Sequence, residues 1–210
     1  MRSIIEAAMF SGIVETTSRI LETRQSGPLV SVYLEKPSNF NDLKIGDSIA
    51  VDGVCLTLEA FDECRMAFTL GPETLSITGW TADGVQGRAM NVERSLRFGD
   101  RIHGHLVTGH VDARAHVLKA EPQGDSLTLT ISIPQILRPL IWRKGSVAIN
   151  GVSLTVNSVT DEGFTVGLIP ETLRRTNLNQ LTSGSTVLLE ADNSARGLLR
   201  ILETRREIQA

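Results

Sequence analysis

The sequence predicts an all-β protein in which two similar six-stranded antiparallel closed β-barrels lie in tandem and one C-terminal α-helix follows them. Three observations support this fold class. The chain carries an internal repeat of roughly a hundred residues, each copy alternates short apolar runs with turn residues, and an amphipathic segment lies beyond the second copy. The predicted boundaries are 1–8 for an N-terminal extension, 9–104 and 105–192 for the two barrels, and 193–210 for the C-terminal helix.

The repeat is clearest around two segments that share one offset along the chain. Residues 48–57 read SIAVDGVCLT and residues 146–155 read SVAINGVSLT, and the same offset continues without a gap as far as Thr78. An earlier match, one residue out of that register, relates FSGIVE at 10–15 to VTGHVD at 107–112. Each copy is long enough to bury a core of its own, unlike the short repeats of solenoids. Two domains with similar pockets, and hence two similar ligand sites, are the expected result.

Composition places the chain among ordinary globular proteins, with 210 residues, 41% hydrophobic and 21% charged, and a formal net charge of −3. Because no basic patch is present, we expect no nucleic-acid partner. No apolar run is long enough to span a bilayer, and the run within residues 1–8 is too short for a signal peptide, so we expect no membrane partner. Whether translation begins at Met1 or Met9 stays open.

Cysteine usage points to the compartment. The two cysteines, Cys55 and Cys64, both lie in the first copy and therefore cannot link the two domains by a disulfide. A reducing cytoplasm is therefore the expected location.

Each copy begins with two strand-like runs separated by a cluster of turn residues, and the second run alternates apolar with polar side chains. These runs are 11–21 and 28–35 in the first copy, and 109–118 and 127–133 in the second. The linkers that follow, 37–46 and 134–145, lack strong periodicity, and we expect a weak helix in each.

The central motif of each copy predicts a tight hairpin. Asp52-Gly53 and Asn150-Gly151 are dipeptides that tolerate the positive φ of such a turn, and β-branched runs flank both. The following strands are expected at 54–61 and 66–70 in the first copy and at 152–159 and 164–168 in the second. A Pro-Glu-Thr-Leu loop then ends the strand, since proline lacks a ladder donor. Last strands at 89–92 and 186–190 close the two copies.

The segment outside the repeat predicts a helix. Asp192-Asn193-Ser194 are typical N-cap residues, and apolar side chains then recur at helical spacing among arginines. They are Ala195, Leu198, Leu199 and Leu202. This apolar stripe either packs on a barrel or meets copies of itself from other subunits, and the sequence favours neither.

Six motifs carry a resemblance to a known family. They are MFSGIVE at 9–15, GDSIAVDGVCLT at 46–57, NVER at 91–94, GHLVTGHV at 104–111, NGVSLT at 150–155 and IPETLRRT at 169–176. In order and spacing they resemble the riboflavin synthase family of α-chain type, with its lumazine-binding repeats, and the resemblance runs from Met9 to about Glu203.

The resemblance implies two lumazine-binding barrels per chain and a homotrimer held by the C-terminal helices. It also implies a transferase reaction, the dismutation of two 6,7-dimethyl-8-ribityllumazine molecules into riboflavin and 5-amino-6-ribitylamino-uracil, with no cofactor and no metal. The reacting pair would lie between the first barrel of one subunit and the second barrel of a neighbour. Association with lumazine synthase is left open.

Two other functions are weighed against the enzyme. One is a non-catalytic relative that holds a lumazine or flavin as a chromophore, and the other is a general β-barrel interaction module. The presence of Cys55, His110 and Ser48 together argues against the chromophore protein, since binding alone needs no acid/base group.

Candidate catalytic residues are those at which the copies differ, because identical pockets cannot assign donor and acceptor roles. His110 matches Ile13, and a histidine titrating near neutrality suits proton transfer to and from the substrate. Cys55 matches Ser153 and would act as a polar donor or a nucleophile, with Ser48 on the adjoining strand. Asp192 matches a family site acid, although it could equally cap the helix. The ordinary alternatives are a structural histidine, a small buried cysteine and a strand-start serine.

Candidate binding residues come from the repeated loops and strands, where backbone amides and short hydroxyls suit a flat heterocycle edged with carbonyls. Threonines here could instead form cross-strand pairs or turn caps, and Lys144 could simply be solvated. The hydroxyl candidates are Thr57 and Thr74 in the first copy, and Ser153, Thr155 and Thr172 in the second. The resemblance adds Phe10, Gly12, Ile13, Val14, Leu56, Thr69, Leu70, Gly71, Pro72, Glu73, Gly109, Val111, Lys144, Ser146, Leu154, Gly167, Leu168, Ile169, Pro170 and Glu171.

Overall fold

A computed structural model describes residues 8–209 of the protein, so the predicted extension lies outside the described residues except for Ala8. The first unit contains seven strands and two short helices. These are β1 (Thr16–Ser26), β2 (Leu29–Glu35), β3 (Ser48–Val51), β4 (Val54–Thr57), β5 (Ala60–Phe61), β6 (Arg65–Leu70), α1 (Pro72–Thr78), α2 (Ala82–Val85) and β7 (Ala89–Arg94).

The second unit repeats this order and the C-terminal helix follows it. Its elements are β8 (Ala113–Gln123), β9 (Ser126–Ser132), a 3-10 helix (Gln135–Leu140), β10 (Ser146–Ile149), β11 (Val152–Val159), β12 (Gly163–Leu168), α3 (Pro170–Arg175), a 3-10 helix (Asn177–Gln180), β13 (Thr186–Ala191) and α4 (Asn193–Gln209). The all-β fold class with two similar units and a C-terminal helix is confirmed.

The two sheets differ in how they close. In the second unit β10-β11-β12-β9-β8-β13 form a closed barrel of six antiparallel strands. In the first unit the order is β4-β3-β7-β1-β2-β6-β5, a curled sheet of seven strands rather than the predicted closed barrel of six, and its two edge strands are consecutive in the chain. They are separated only by Leu58 and Glu59, where the predicted strand at 54–61 is interrupted. Leu58 still exchanges backbone hydrogen bonds with Gly46 and Asp47.

The matching position of the second unit carries a milder form of the same irregularity. Val156 makes the corresponding backbone hydrogen bonds with Lys144 and Gly145, and the ladder between β11 and β12 shifts register between Val156 and Ser158. A bulge bends a strand and redirects the side chains beyond it. Both copies therefore have an irregularity at this place in the long strand. It interrupts the strand in the first copy and only shifts its register in the second.

The linkers and loops depart from the sequence predictions in two places. Both Pro-Glu-Thr-Leu segments form short helices, α1 and α3, because proline fits the first helical turn. A 3-10 helix lies in the second linker, but residues 37–46 contain no helix, so that prediction is wrong. Phe40 and Leu43 of this linker are instead buried in the core of the first unit.

The Asx-Gly turns are confirmed and meet each other. Asp52 and Asn150 have φ of 44° and 46°, and Gly53 and Gly151 have φ of 80° and 78°. A methyl group added to Gly53 would lie 2.7 Å from the Gly151 backbone nitrogen, so only glycine permits this approach. The two hairpins thus touch back to back where the units join.

Each unit has its own apolar core, and α4 lies against the second. Ala195 and Leu199 of α4 pack on that core, whereas Leu198, Ile201, Leu202 and Ile208 are 56–80% exposed. Within residues 8–209, no helix combines the length and apolarity needed to cross a bilayer.

Candidate functional site

Two short segments cross between the units. Strands β1 and β8 begin at Thr16 and Ala113, later than predicted, and the residues before them, 10–13 and 107–110, form what we call the crossed segments. The segments pair with each other through two hydrogen bonds between Phe10 and Val107, of 2.8 and 3.0 Å. Phe10 and Val107 then pack with Ala50 and Ala148 in a small cluster between the units.

Each crossed segment lies along the central hairpin of the other unit. The N–H of Cys55 on β4 donates to the carbonyl of Gly109 at 2.8 Å, and the N–H of Ser153 on β11 donates to the carbonyl of Gly12 at 2.8 Å. The side chains that continue from these segments follow the same exchange, since Val14 belongs to the second core and Val111 packs against the first. His110 therefore lies beside the first unit although it belongs to the second repeat.

Glycine is required where the crossed segments approach the hairpins. Gly12 and Gly109 have φ of 71° and 77°, in the left-handed region. A Cβ on Gly12 would lie 2.6 Å from the Ser153 Cβ, and one on Gly109 would lie 2.5 Å from the Cys55 Cβ. Gly12 and Gly109 therefore lie beside Ser153 and Cys55, the matched candidate residues at which the two copies differ.

Two buried carboxylates hold the crossed segments. Glu93 accepts hydrogen bonds from the Ser11 N–H (2.7 Å), the Ser11 hydroxyl (2.8 Å) and the Gly12 N–H (3.1 Å). Glu190 accepts the matching three from the Thr108 N–H (2.7 Å), the Thr108 hydroxyl (2.8 Å) and the Gly109 N–H (3.0 Å). Burial raises the pKa of Glu93 to about 7 and raises that of Glu190, while these hydrogen bonds act in the opposite direction.

The environment of Cys55 favours its thiol form. Cys55 is half-buried, and burial raises the pKa of its thiol, an effect to which the Glu190 charge adds and which a hydrogen bond with Ser48 opposes. Since the thiolate is the nucleophilic form, a raised pKa suits a polar hydrogen-bonding partner better than a nucleophile. Ser48 lies on the strand that adjoins Cys55, as predicted, because β3 pairs with β4.

His110 is exposed and follows Gly109 directly. Asp112, two residues later, accepts hydrogen bonds from the Ala191 N–H and from Arg196 of α4, both at 2.8 Å. Burial raises the pKa of Asp112, and the charges of Arg196 and His110 oppose that rise. The segment that carries His110 is therefore anchored at Gly109 by Glu190 and at Asp112 by α4.

Each unit also leaves a gap in its sheet next to the central hairpin. The ladder between β11 and β12 ends at Val156 and Val166, so Gly167 and Leu168 pair only with β9. In the first unit, β6 pairs with β5 only through Met66 and Ala67. Thr57 and Thr155 are exposed beside these gaps. Backbone N–H and C=O groups at such a gap suit the edge of a flat polar heterocycle.

Six of the predicted contact residues have side chains that are buried in apolar clusters. Phe10 lies in the cluster between the units, and five others are buried in the two apolar cores: Val14, Leu56, Leu70, Leu154 and Leu168. The other predicted binding residues, together with Asp192, are half-buried or exposed, apart from the packed Gly12 and Gly109: Ile13, Thr57, Thr69, Gly71, Pro72, Glu73, Thr74, Val111, Lys144, Ser146, Ser153, Thr155, Gly167, Ile169, Pro170, Glu171 and Thr172.

Several of these side chains already have partners. Thr69 donates to Glu59 at 2.8 Å, and Glu171 forms ion pairs with Arg174 and Arg175, which lower the pKa of its carboxyl. Asp192 accepts a hydrogen bond from the Ser194 N–H at 2.8 Å, so it does cap α4.

A groove of about 880 Å³ extends the first site. Ser48 and Ile13 line one part of it, and Arg94, Arg101 and His103 line another. Acidic residues interleave with these cations, and Arg94 is paired with Glu15 and Asp42. Among the described residues no group of three His, Cys, Asp or Glu side chains is arranged to hold a metal ion.

Three comparisons place the chain among known proteins. The profile of the lumazine binding domain matches it twice, at residues 11–95 and 108–192. The riboflavin synthase of Bacillus subtilis (strain 168) is 32% identical over 95% of this chain and 92% of its own length. The riboflavin synthase of Escherichia coli (strain K12) is 34% identical over 93% of this chain and 92% of its own length. That of Chlamydia pneumoniae is 37% identical over 90% of this chain and 92% of its own length.

This chain belongs to the riboflavin synthase family of lumazine-binding proteins. The fold agrees with solved structures of LumP, one complexed with 6,7-dimethyl-8-(1'-D-ribityl) lumazine (TM-score 0.77, 23% identity, 88% of this chain and 99% of LumP) and one with riboflavin (TM-score 0.78, 24% identity, 88% and 100%). The two family matches begin at Ser11 and Thr108 and end at Ser95 and Asp192, so each includes one crossed segment and the glutamate that holds it.

Two residues of the site were missed by sequence reasoning: Glu93 and Glu190. A signal existed for both, because they are acids at matching positions of the two copies, directly after the predicted strand 89–92 and at the end of the predicted strand 186–190.

Proposed function

We propose that the protein is a riboflavin synthase that converts two molecules of 6,7-dimethyl-8-ribityllumazine into riboflavin and 5-amino-6-ribitylamino-uracil. A four-carbon unit passes from one lumazine to the other, which makes the protein a transferase. Because one substrate molecule gains what its twin loses, the exchange balances without a cofactor. Relatives named riboflavin synthase that match nearly the whole chain support this proposal.

The crossing of the segments is the observation that carries the proposal. It brings His110, a candidate acid/base group, next to the strand that carries Cys55, and Ser48 lies on the strand that adjoins Cys55. A pocket that only binds a chromophore needs no such combination. In the reaction, His110 transfers protons to and from the lumazine of the first site, while Cys55 and Ser48 hold that ring by hydrogen bonds.

Two similar sites suit a reaction between two identical molecules. Holding both lumazines in fixed orientation removes the entropy cost of their encounter from the chemical step. The groove beside Ser48 is lined by residues that lie between positions 11 and 103. Within one chain it therefore includes no residue of the second predicted barrel, 105–192. We place the second lumazine on a neighbouring subunit of a homotrimer formed through α4. Neither cysteine forms a disulfide in the described chain, which supports a cytoplasmic location.

Incubation of the purified protein with the lumazine tests the proposal. Riboflavin should accumulate with half the stoichiometry of lumazine consumed. His110→Gln should lower turnover by about 10²-fold or more while lumazine binding remains, because general acid/base groups contribute on that scale. Tight binding without turnover would instead identify a chromophore protein, and neither binding nor turnover would leave a structural barrel.

A further inference from the structure

The second unit contains a hydrogen-bonded histidine that the proposed function has not used. The Nδ1 atom of His105 lies 2.7 Å from the hydroxyl oxygen of Ser153. Its Nε2 atom is buried and has no hydrogen-bond partner among the described residues. A buried polar atom without a partner costs stability, so such atoms in native proteins often have a functional reason.

The backbone fixes this contact from both sides. The His105 N–H donates to the carbonyl of Ser11 at 3.2 Å, and the Ser153 N–H donates to the carbonyl of Gly12 at 2.8 Å. A Cβ added to Gly104 would lie 2.1 Å from the Ser11 oxygen and 2.7 Å from the Ser153 Cβ. The crossed segment therefore holds the backbones of His105 and Ser153 next to each other, which places the imidazole within hydrogen-bond distance of the Ser153 hydroxyl.

The electrostatic environment of His105 suits an imidazole that is protonated only transiently during the reaction. Burial lowers the pKa of its imidazole, so the ring is neutral near pH 7, while the charge of Asp192 acts in the opposite direction. A neutral imidazole can accept the hydroxyl proton of Ser153 at Nδ1. Asp192 would then stabilise the resulting imidazolium.

The pair also breaks the symmetry of the two copies. Ser153 matches Cys55, whose partner in the first unit is Ser48, and the residue that matches His105 is Ala8. One site thus has a thiol beside a hydroxyl, and the other has a hydroxyl beside an imidazole. A difference of this kind can assign unlike roles to two otherwise similar pockets.

We propose that His105 is a positioning residue of the second site, which orients Ser153 and takes its hydroxyl proton as Ser153 removes a proton from the acidic methyl group of the lumazine bound there. In this step the methyl C–H bond breaks and its proton passes to the Ser153 oxygen. The Ser153 proton passes to Nδ1 of His105, and the substrate keeps the electron pair. The reverse transfer restores all three groups. This inference rests on the proposed function.

The test uses the full-length protein with His105→Asn and His105→Ala. The Asn amide oxygen can occupy the place of Nδ1 and accept the hydrogen bond from Ser153, but it cannot titrate. We expect His105→Asn to keep its fold by circular dichroism and its lumazine affinity within about threefold, while turnover falls about 10²-fold or more. Added imidazole should partly restore turnover in His105→Ala, and the acidic limb of the kcat/KM profile should change in both variants. His116→Asn, at an exposed histidine on β8, is the matched control and should behave as wild type.

Four results would overturn the inference. Wild-type turnover in His105→Asn would remove the proton-transfer role. An equal loss of affinity and turnover would show that His105 only shapes the pocket. Absence of turnover in the wild-type protein would overturn the proposed function and this inference with it. Histidine ¹⁵N chemical shifts of the wild-type protein without substrate distinguish failure of this inference from failure of the proposed function. A His105 imidazole that is charged at pH 7 contradicts the inference even where turnover is present.

Discussion

Asp52 and Asn150 open the two matched turns and make the same contact. The Oδ1 atom of Asp52 accepts the Asn91 N–H at 2.7 Å, and that of Asn150 accepts the Leu188 N–H at 2.8 Å. Asp52 is 1% exposed, and burial raises its pKa to about 6, against the hydrogen bonds from Asn91 and Asn177 and the charge of Arg88. Asn150 of the second unit shows that an uncharged amide can accept the same hydrogen bond.

The stability of the protein should therefore depend on the charge of Asp52. Between about pH 4 and pH 6 the folded chain binds a proton that the unfolded chain has released, so this stabilising contribution is lost as pH rises through the folded pKa. Asp52→Asn should raise the free energy of unfolding at pH 7 by about 1–3 kcal/mol and leave it unchanged near pH 4. Urea unfolding from pH 4 to 8 measures both. Asp125→Asn, in the exposed turn after β8, is the control, and identical pH slopes for Asp52→Asn and wild type would contradict the argument.

Gly109 and Gly124 offer a matched pair for the close approach at the site. Both have positive φ, 77° and 60°, but a Cβ at Gly124 would meet nothing within 4 Å, whereas one at Gly109 would collide with Cys55. Gly→Ala at either place carries a left-handed strain of about 1 kcal/mol. Gly109→Ala should cost at least about 2 kcal/mol more than Gly124→Ala in urea unfolding and should lower turnover. Equal costs would mean that the crossed segment moves aside without penalty.

At the scale of elements, local chemistry was predictable and long-range pairing was not. The Asx-Gly turns follow from dipeptides that carry their own geometry, and the alternation of residues such as Val30 and Val32 places them in the core. The crossed segments could not be predicted, because a repeat is equally consistent with Gly12 packing on its own unit or on the other. The buried acids Glu93 and Glu190 each hold the crossed segment of their own repeat, so these contacts do not depend on that choice.

The attachment of α4 links the helix to the site. Arg196 in the first turn of α4 bonds Asp112, and Asp112 is two residues from His110. In the first unit the matching acid, Glu15, is held by Arg94 of its own last strand, where the second unit has Ala191. The helix thus supplies a cation that the second barrel lacks.

Arg196→Gln should destabilise the protein by about 1–2 kcal/mol, because it leaves the partly buried Asp112 without its cation. Hydrogen exchange in the first turns of α4 should rise and turnover should fall. The double variant Asp112→Asn/Arg196→Gln should recover part of the stability, since no lone charge remains. Arg200→Gln, at an exposed position on the same helix, should change neither property. A double variant as unstable as the sum of its singles would show that the two residues act separately.

At the scale of the whole molecule, α4 has two apolar faces. Ala195 and Leu199 pack on the second core, while Leu198, Ile201 and Leu202 face solvent at 63%, 66% and 56% exposure. The sequence predicted this helix but left its partner open, because both faces fall within one run of apolar residues. An exposed stripe of this kind marks an interaction surface, and copies of the same helix are self-complementary partners.

Leu198→Glu/Leu202→Glu should convert the proposed trimer into folded monomers, because two carboxylates on each helix would be buried against one another. Sedimentation velocity measures the assembly and circular dichroism the fold. Lumazine should still bind to the monomer, but riboflavin formation should fall by about 10²-fold or more, since two bound lumazines must meet across subunits to react. Leu29→Glu, at an exposed leucine on β2, controls for the added charge and should remain trimeric and active. Full turnover by a monomer would show that one chain brings both lumazines together, and the location of the second site on a neighbouring subunit would then be wrong.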